Sequence, residues 1–528
     1  MKILLVYPPT TVYGEDPSKG GQIVPLGLAY IAAACEKNEY ETKIFDFSAS
    51  DNIEEHPENN SIYYGVKKEE IRDRIKEYAP DIVGIQCMYT AYAYDAYDIA
   101  EIVKEINSKT LVVIGGAHTS ACPESVLNNS NVDIIVIGEG EETFIEIIKQ
   151  YEKKQNLSDI LGTAVRANSG ISINSPRPYI KDIDTIPFPA RHLLPLERYI
   201  NKFKNVPTNM RSSTFVISSR GCPFNCNFCS VKSVWGRTWR CHSPKYVVDE
   251  IEHVVKEHEI REIHFTDDNI STKIDRLIAI CDELIKRKID IKWATPNGIA
   301  IWTLTKDALD KMKKSGCYRL TFGIETAHEE TRRYIRKQHG SLEKMNEIIK
   351  YANKLGIWTI ATFILGFPHE TREDVEETIR FALESDLDFA FFFLPMPFPE
   401  TELTEDYKRA GLLGELKTDE WGKFLSGTHG VATEHFTVED LRNLQKEAYF
   451  RFIRSRFFKF LNPLRILSKT KSFEDFKYIC KLGRMGFKYV LETFKFKKAL
   501  IYRVTNLEKK VLKESASTAK AKPPSDAK

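Results

Sequence analysis

The sequence predicts an α/β protein built from two unlike modules. A flavodoxin-like (Rossmann-type) doubly wound sheet is expected over residues 1–150 and a partial (β/α) barrel of the TIM type over 212–410. A segment over 151–211 connects them, and a small helical C-terminal region over 411–513 and a disordered tail over 514–528 follow. Three observations carry this reading. Five hydrophobic strand patterns recur at near-regular spacing through the first 150 residues, separated by helical patterns. A second alternation of strand and helix signals starts near residue 212. Beyond residue 410 the chain turns into basic amphipathic helical pattern.

The first five strands are KILLVYPP, ETKIFDF, DIVGIQC, LVVIGG and DIIVIGEGEET, with helical stretches such as VPLGLAYIAAACEK and AYDIAEIVKEI between them. In sheets of this kind ligands bind beyond the carboxyl ends of the strands, near the switch point. The residues placed there are Tyr7 to Pro9, Gln86 to Thr90, Gly115 to His118 and Gly138 to Thr143. Pro9, Gln86, Met88, Gly115, Gly116, His118, Gly138, Glu139, Gly140 and Thr143 are therefore candidate ligand contacts. Glycines in such turns let the backbone approach a large ligand closely. No GxGxxG opens a helix after the first strand, which argues against a dinucleotide. His118 is the one histidine of these loops and reads either as a metal ligand or as ordinary polar loop packing.

Tyr151 to Arg211 carries GTAVRANSGISI, a hairpin pattern turning at Asn168 to Gly170, and then the proline-rich DIDTIPFPARHLLP. It spans rather than catalyses. The barrel strands are FVIS, REIHFTDDN, KWATPNG, YRLTFGIET, TIATFILGFP and DFAFFFLPMPF. Between the first two, SPKYVVDEIEHVVKEH reads as a helix with Ser243 as N-cap and Pro244 at its first position.

The loop after FVIS holds Cys222, Cys226 and Cys229 in a CxxxCxxC spacing, with Phe228 before the last cysteine. Three thiolates this close hold an iron–sulfur cluster and leave one iron open to a substrate or cosubstrate. The competing reading is a zinc site or unrelated core cysteines. A closed zinc site wants four ligands, which Cys241 and His242 would have to complete. Ten cysteines in 528 residues without a secretory signal is no disulfide scaffold.

CxxxCxxC with an aromatic before the third cysteine resembles the signature of the radical S-adenosylmethionine (radical SAM) enzymes. The resemblance implies that Cys222, Cys226 and Cys229 carry a 4Fe-4S cluster whose fourth iron is chelated by SAM. Reduction by one electron, from a donor such as flavodoxin or ferredoxin, then cleaves SAM to a 5'-deoxyadenosyl radical that takes hydrogen from substrate. GIET implies Glu325 at the SAM ribose, ILGFP implies Gly366 near adenine, and TDDN implies Asp267 and Asp268 near the SAM amino group. Phe228 and Arg240 are the further cofactor contacts implied. The run GRTWRCHSP keeps Arg237 and Arg240 but departs from the family at Cys241 and His242, and PFPET departs at Glu400. Cys241 reads as a redox partner or a small buried hydrophobe.

The set YPP, PLGLAYIAA, GGAH and GEGEET similarly resembles the cobalamin-binding domain that precedes many radical SAM enzymes. The DxHxxG element is missing, so the state implied is cobalamin with its base displaced and no histidine on cobalt. Together these imply methylation of an unactivated carbon in a lipid-like or other apolar biosynthetic intermediate. The alternatives are an oxidative ring-forming enzyme of the same subfamily and a non-catalytic cobalamin or redox sensor.

Net charge is only +2, but Arg451 to Lys513 holds 18 Lys or Arg against 4 acidic residues. No run reaches the roughly 18 apolar residues of a spanning helix. The region reads either as basic helices lying on an anionic membrane surface or as a helical domain packed on the barrel with solvated lysines. The expected location is cytoplasmic, peripheral on the membrane in the first case. No nucleic-acid module accompanies the charge, so nucleic acid is not an expected partner.

Overall fold

The computed structural model describes residues 1–13, 23–58, 60–167, 170–205, 209–337, 340–413, 430–460, 463–470 and 473–484. They fall into two units, Met1–Lys204 with Arg211–Lys469, and Asn205–Met210 with Thr470–Lys528. In the second, Lys481 Nζ donates to Asn209 O at 3.2 Å.

The first sheet takes its strands from β1 (Lys2–Tyr7), β3 (Glu41–Asp46), β6 (Ile82–Gln86), β7 (Leu111–Gly115) and β8 (Ile134–Val136). A small antiparallel sheet of β2 (Thr10–Tyr13), β4 (Ile53–His56) and β5 (Ser61–Tyr64) lies among them in sequence and was not legible beforehand. The helices are α1 (Leu26–Lys37), α2 (Lys68–Tyr78), α3 (Ala93–Ile106), α4 (Ala117–Ala121), α5 (Pro123–Leu127) and α6 (Glu141–Glu152). The spatial order β3-β1-β6-β7-β8 is the flavodoxin-like 2-1-3-4-5, all parallel. Alternating residues serve the two faces. Leu4, Val6, Val83, Ile85, Val112 and Ile114 meet α2, α3 and α5, while Phe144 of α6 lies over Leu5 and Gly84 on the other side.

The sheet continues past residue 150. The hairpin β9 (Thr163–Ala167) and β10 (Gly170–Ile173) adds to the same sheet, β9 pairing antiparallel with β8. The first part of the connecting segment thus extends the first sheet. A helix α7 (Leu196–Asn205) ends that segment.

The second sheet is parallel and strictly sequential: β11 (Ser213–Val216), β14 (Glu262–Phe265), β15 (Lys292–Ile299), β16 (Cys317–Glu325), β17 (Trp358–Ile364) and β18 (Phe389–Phe393). Between β11 and β14 come the two-residue strands β12 (Ser219–Arg220) and β13 (Arg240–Cys241), with α8 (Lys232–Trp235) between them, and α9 (Pro244–His258). The remaining crossovers are α10 (Ile274–Lys286), α11 (Lys306–Lys314), α12 (Glu329–Tyr334), α13 (Leu342–Lys354) and α14 (Arg372–Glu384), followed by α15 (Glu402–Arg409). Ser243 caps α9 as expected, accepting from Tyr246 N at 3.1 Å. The sheet stays open, a partial barrel, and one face buries Val216, Phe265, Phe322, Phe363 and Phe392 against the helices.

Two C-terminal helices, α16 (Val438–Phe460) and α17 (Pro463–Lys469), cover the last barrel strands. Three of their basic residues, Arg451, Arg456 and Lys469, turn toward the barrel, while Lys446 and Arg454 are exposed. Arg451 forks onto Glu376 at 2.6 and 2.6 Å, and Arg456 donates to Ala382 O at 2.7 Å and Ser385 O at 3.0 Å, pairing the carbonyls that α14 leaves free at its end. Lys469, fully buried, reaches Asp388 at 2.6 Å. Over 451–469 these cations hold the barrel, the reading in which the helices pack rather than float on lipid. The basic stretch FKYVLETFKFKKAL, expected as a helix, and the 514–528 tail lie outside the described residues. No described helix is long and apolar enough to cross a membrane.

Candidate active site

The cysteine loop closes on the ribbon β12–β13, in which Ser219 pairs with Cys241 and Arg220 with Arg240. Gly221 starts the loop with φ +81, and a Cβ there would meet Thr238 O at 2.3 Å, so only glycine fits. Three successive residues after β14 then hold it. Asp267 accepts from Ser218 Oγ at 2.7 Å and Ser219 Oγ at 2.5 Å, Asp268 from Gly221 N at 2.9 Å, and Asn269 Nδ2 lies 3.9 Å from Cys222 Sγ. The sequence puts Asp267 at SAM; the structure buries it at 2% exposure as the brace of Ser218 and Ser219. Asp268 keeps an exposed side chain, yet desolvation by the surrounding protein pushes its carboxyl up to about 6.

Cys222, Cys226 and Cys229 are free thiols, each partly buried. Burial pushes Cys229 up to about 11 and raises the other two. Beside them stands Lys337, which the sequence did not single out. Its Nζ meets Glu325 Oε1 at 2.6 Å; burial works against its charge, but Glu325 and the Cys226 sulfur outweigh it and leave its pKa above the ordinary value. Glu325 ends β16 in a left-handed conformation, φ +67, beside a register shift against β17, and its Oε2 accepts from Thr362 Oγ1 at 3.2 Å. Such strain at a strand end persists where surrounding contacts over-determine it. Free thiols beside a cation, on a loop braced from three sides, suit an anionic cluster, and no three described His, Cys, Asp or Glu side chains are grouped to hold a single metal ion. His242 stacks on Tyr246 at 3.9 Å and bonds Asp184 through Nδ1 at 3.1 Å.

Several expected cofactor contacts also meet protein partners. Phe228 packs toward Phe367, in an apolar cluster with Leu403 and Tyr407. Gly366, φ +87, lies under Leu441, where a Cβ would come within 2.3 Å, and its N–H goes to Glu370. Glu139 and Arg240 bind each other. Both Glu139 oxygens lie 2.8 Å from Arg240, one also takes Arg220 at 2.7 Å, and the other takes Ile180 N. Arg220 completes the clamp on Glu141 at 2.5 Å; burial would raise that carboxyl, and Arg220 outweighs it and leaves it lowered. GEGEET is thus the clamp between the first sheet and the cysteine-loop ribbon. Thr143 is buried, donating to Glu139 O and accepting from Arg177, and Gly140 lies beneath Ile31. Pro9 is buried against Gly65.

The other first-sheet residues do meet at the carboxyl ends of β6, β7 and β8. Gly116, φ +131, has Cys87 O where a Cβ would stand; Gly115 has only Val136 in ordinary contact; Gly138 N donates to Ser120 Oγ. His118 bonds Thr90 through Nδ1, and burial lowers its pKa to about 4. Its Nε2, Gln86 Oε1 and Thr119 Oγ1 are buried with no partner among the described residues. Met88 and Tyr89 stand exposed beside them, at 37% and 43%. Unpaired polar atoms next to an apolar rim are the chemistry of a large mixed-polarity ligand such as cobalamin.

Residues 216–382 match the Radical SAM superfamily, and residues 18–148 match the B12 binding domain. An uncharacterized methyltransferase of Pyrococcus horikoshii is 37% identical over 92% of this chain and 98% of its own. The cytidylyl-2-hydroxyethylphosphonate methyltransferase of Streptomyces wedmorensis is 30% identical over 78% of this chain and 82% of its own. Among solved structures, the radical S-adenosylmethionine methyltransferase TsrM from Kitasatospora setae superposes with a TM-score of 0.63 at 17% identity, covering 78% of this chain and 77% of that one.

Proposed function

The chain belongs to the B12-binding radical SAM enzymes, and from that premise we propose that it methylates an unactivated carbon of an apolar small molecule. The observation that carries the reading is the braced loop with three free thiols beside Lys337 and Glu325. The methyltransferase names of relatives at 37% and 30% identity support the methylation.

When bound, the cluster with SAM supplies a 5'-deoxyadenosyl radical and cobalamin supplies a methyl group. In this reading Cys222, Cys226 and Cys229 hold the cluster, while Asp268 and Asn269 fix the loop so that their sulfurs keep one arrangement. Glu325, held by Lys337 and Thr362, presents an acceptor to the SAM ribose. Gln86, Met88, Gly115, Gly116, Gly138 and His118 line the cobalamin site, and the Glu139 clamp joins it to the cysteine loop. The domain limits proposed are 1–173 for the first module and 212–410 for the barrel.

The test is anaerobic reconstitution with iron, sulfide and cobalamin, followed by reduction and addition of SAM. Both 5'-deoxyadenosine and S-adenosylhomocysteine are expected. Formation of 5'-deoxyadenosine alone favours a ring-forming enzyme, and formation of neither overturns the proposal. Replacing Cys222, Cys226 or Cys229 with alanine is expected to remove most bound iron and sulfide.

A further inference from the structure

The helix-free face of the barrel sheet changes character along the sheet. On β14 and β16 the side chains opposite the packed ones include His264, bonded to Glu262, and Thr321 and Glu325, while on β17 Thr362 stands between Ile360 and Ile364. On β18 the alternation places Ala390 and Phe392 in the packed core and Phe391 and Phe393 on the helix-free face. These two are 44% and 47% exposed. Their ring centres lie 6.3 Å apart with planes 30° from parallel, so two neighbouring, nearly parallel rings stand on that face.

Its position is fixed by register. Thr362 faces Phe391 and Ile364 faces Phe393, and Thr362 is the residue that donates to Glu325. The surface therefore lies one strand from Glu325. The loop leaving β18 carries Phe398, 37% exposed, and leads into α15, whose Leu403 N donates to Asn227 O between two of the cysteines. Nor is the occupant an added strand. The Phe392 N–H goes to the Tyr449 hydroxyl at 3.1 Å and its carbonyl accepts from Gln445 at 2.7 Å, so α16 pairs the outer edge of β18.

We propose that Phe391 and Phe393 form the binding wall for substrate, and that the substrate lays a flat conjugated or polycyclic ring against it. A flat partner touches both rings at once, whereas a polar headgroup would lose water there without gaining a hydrogen bond. This inference rests on the barrel being the reaction chamber of the functional reading above.

The experiment uses the full chain loaded with cluster and cobalamin, protoporphyrin IX as the flat apolar probe, cytidine monophosphate as the polar one, and quenching of tryptophan fluorescence as the readout. Protoporphyrin is expected to bind, and F391A/F393A to weaken it by roughly tenfold or more, the scale of one lost aromatic face. F393L, which keeps bulk without the flat ring, is expected to fall between. Both side chains are about half exposed, so truncation opens no core cavity. Equal protoporphyrin affinity in wild type and double variant, no binding to wild type, or nucleotide binding that depends on these phenylalanines would overturn the proposal. Iron and cobalt contents separate the two failures: unloaded protein speaks against the functional reading, loaded protein indifferent to the phenylalanines against the wall alone.

Discussion

The strand ends of the two sheets satisfy their polar groups in opposite ways. At the barrel mouth Asp267, Asp268 and Glu325 all find protein partners, in Ser218 and Ser219, Gly221, and Lys337 with Thr362. At the first sheet Gln86, His118 and Thr119 bury polar atoms that no described group meets, beside exposed Met88 and Tyr89. Each unpaired buried atom costs about 1–3 kcal/mol. A ligand that pairs them recovers that cost. The three carboxylates of the barrel mouth are thus held before any ligand arrives, although Asn227 Oδ1 in the cysteine loop and His242 Nε2 beside it are also buried without a described partner. At the first sheet the open valences stand at the strand ends themselves.

The sharpest way to break the comparison is at the clamp that joins the two mouths. Glu139 and Arg220 are 4% and 5% exposed at their side chains. Glu139→Gln leaves two buried guanidinium groups with one fewer charge, and removing one partner of a buried pair costs about 3–5 kcal/mol. The expected outcome is a large drop in the thermal midpoint, with cobalt lost before iron, because the cysteine loop keeps its own braces. Equal loss of both metals would mean that the barrel mouth depends on the first sheet.

Gly115 and Gly116 sharpen it within the first sheet. Gly116→Ala must place a Cβ 2.4 Å from Cys87 O at φ +131 and is expected to cost about 1–3 kcal/mol of strain. Gly115→Ala meets only ordinary contact with Val136. It is expected to leave the melting temperature unchanged and to lower cobalamin retention, since its new methyl stands at the ligand edge. Retention at the wild-type level would remove Gly115 from the site.

Periodicity and spacing made the architecture legible, because strand alternation and the three-cysteine pattern are local in sequence. The roles of Glu139 and Arg240 were not legible. They lie 101 residues apart, and nothing local distinguishes a carboxylate aimed at a ligand from one aimed at an arginine of the other module. Lys337 escaped for the same reason: it sits twelve residues past Glu325, beyond a short helix, and only the fold returns it to the cysteines. The protein partners of Asp267 were not legible either. Its two serines precede the cysteine motif and read as mere linker.

The smallest expected effect concerns His118. Burial lowers its pKa from about 6.5 to about 4, so the folded state prefers the neutral ring. The stability this contributes is present above pH about 6.5 and is lost as pH falls through about 4. His118→Gln removes the titration and keeps a partner for Thr90, so its thermal midpoint is expected to fall less steeply over that window. His242, also lowered to about 4 by burial, titrates in both proteins and cancels in the comparison. If Nε2 faces the ligand, cobalamin loading flattens the wild-type slope and leaves that of the variant unchanged. Slopes equally affected would place the unpaired nitrogen away from the cobalamin site and weaken the contrast between the two mouths.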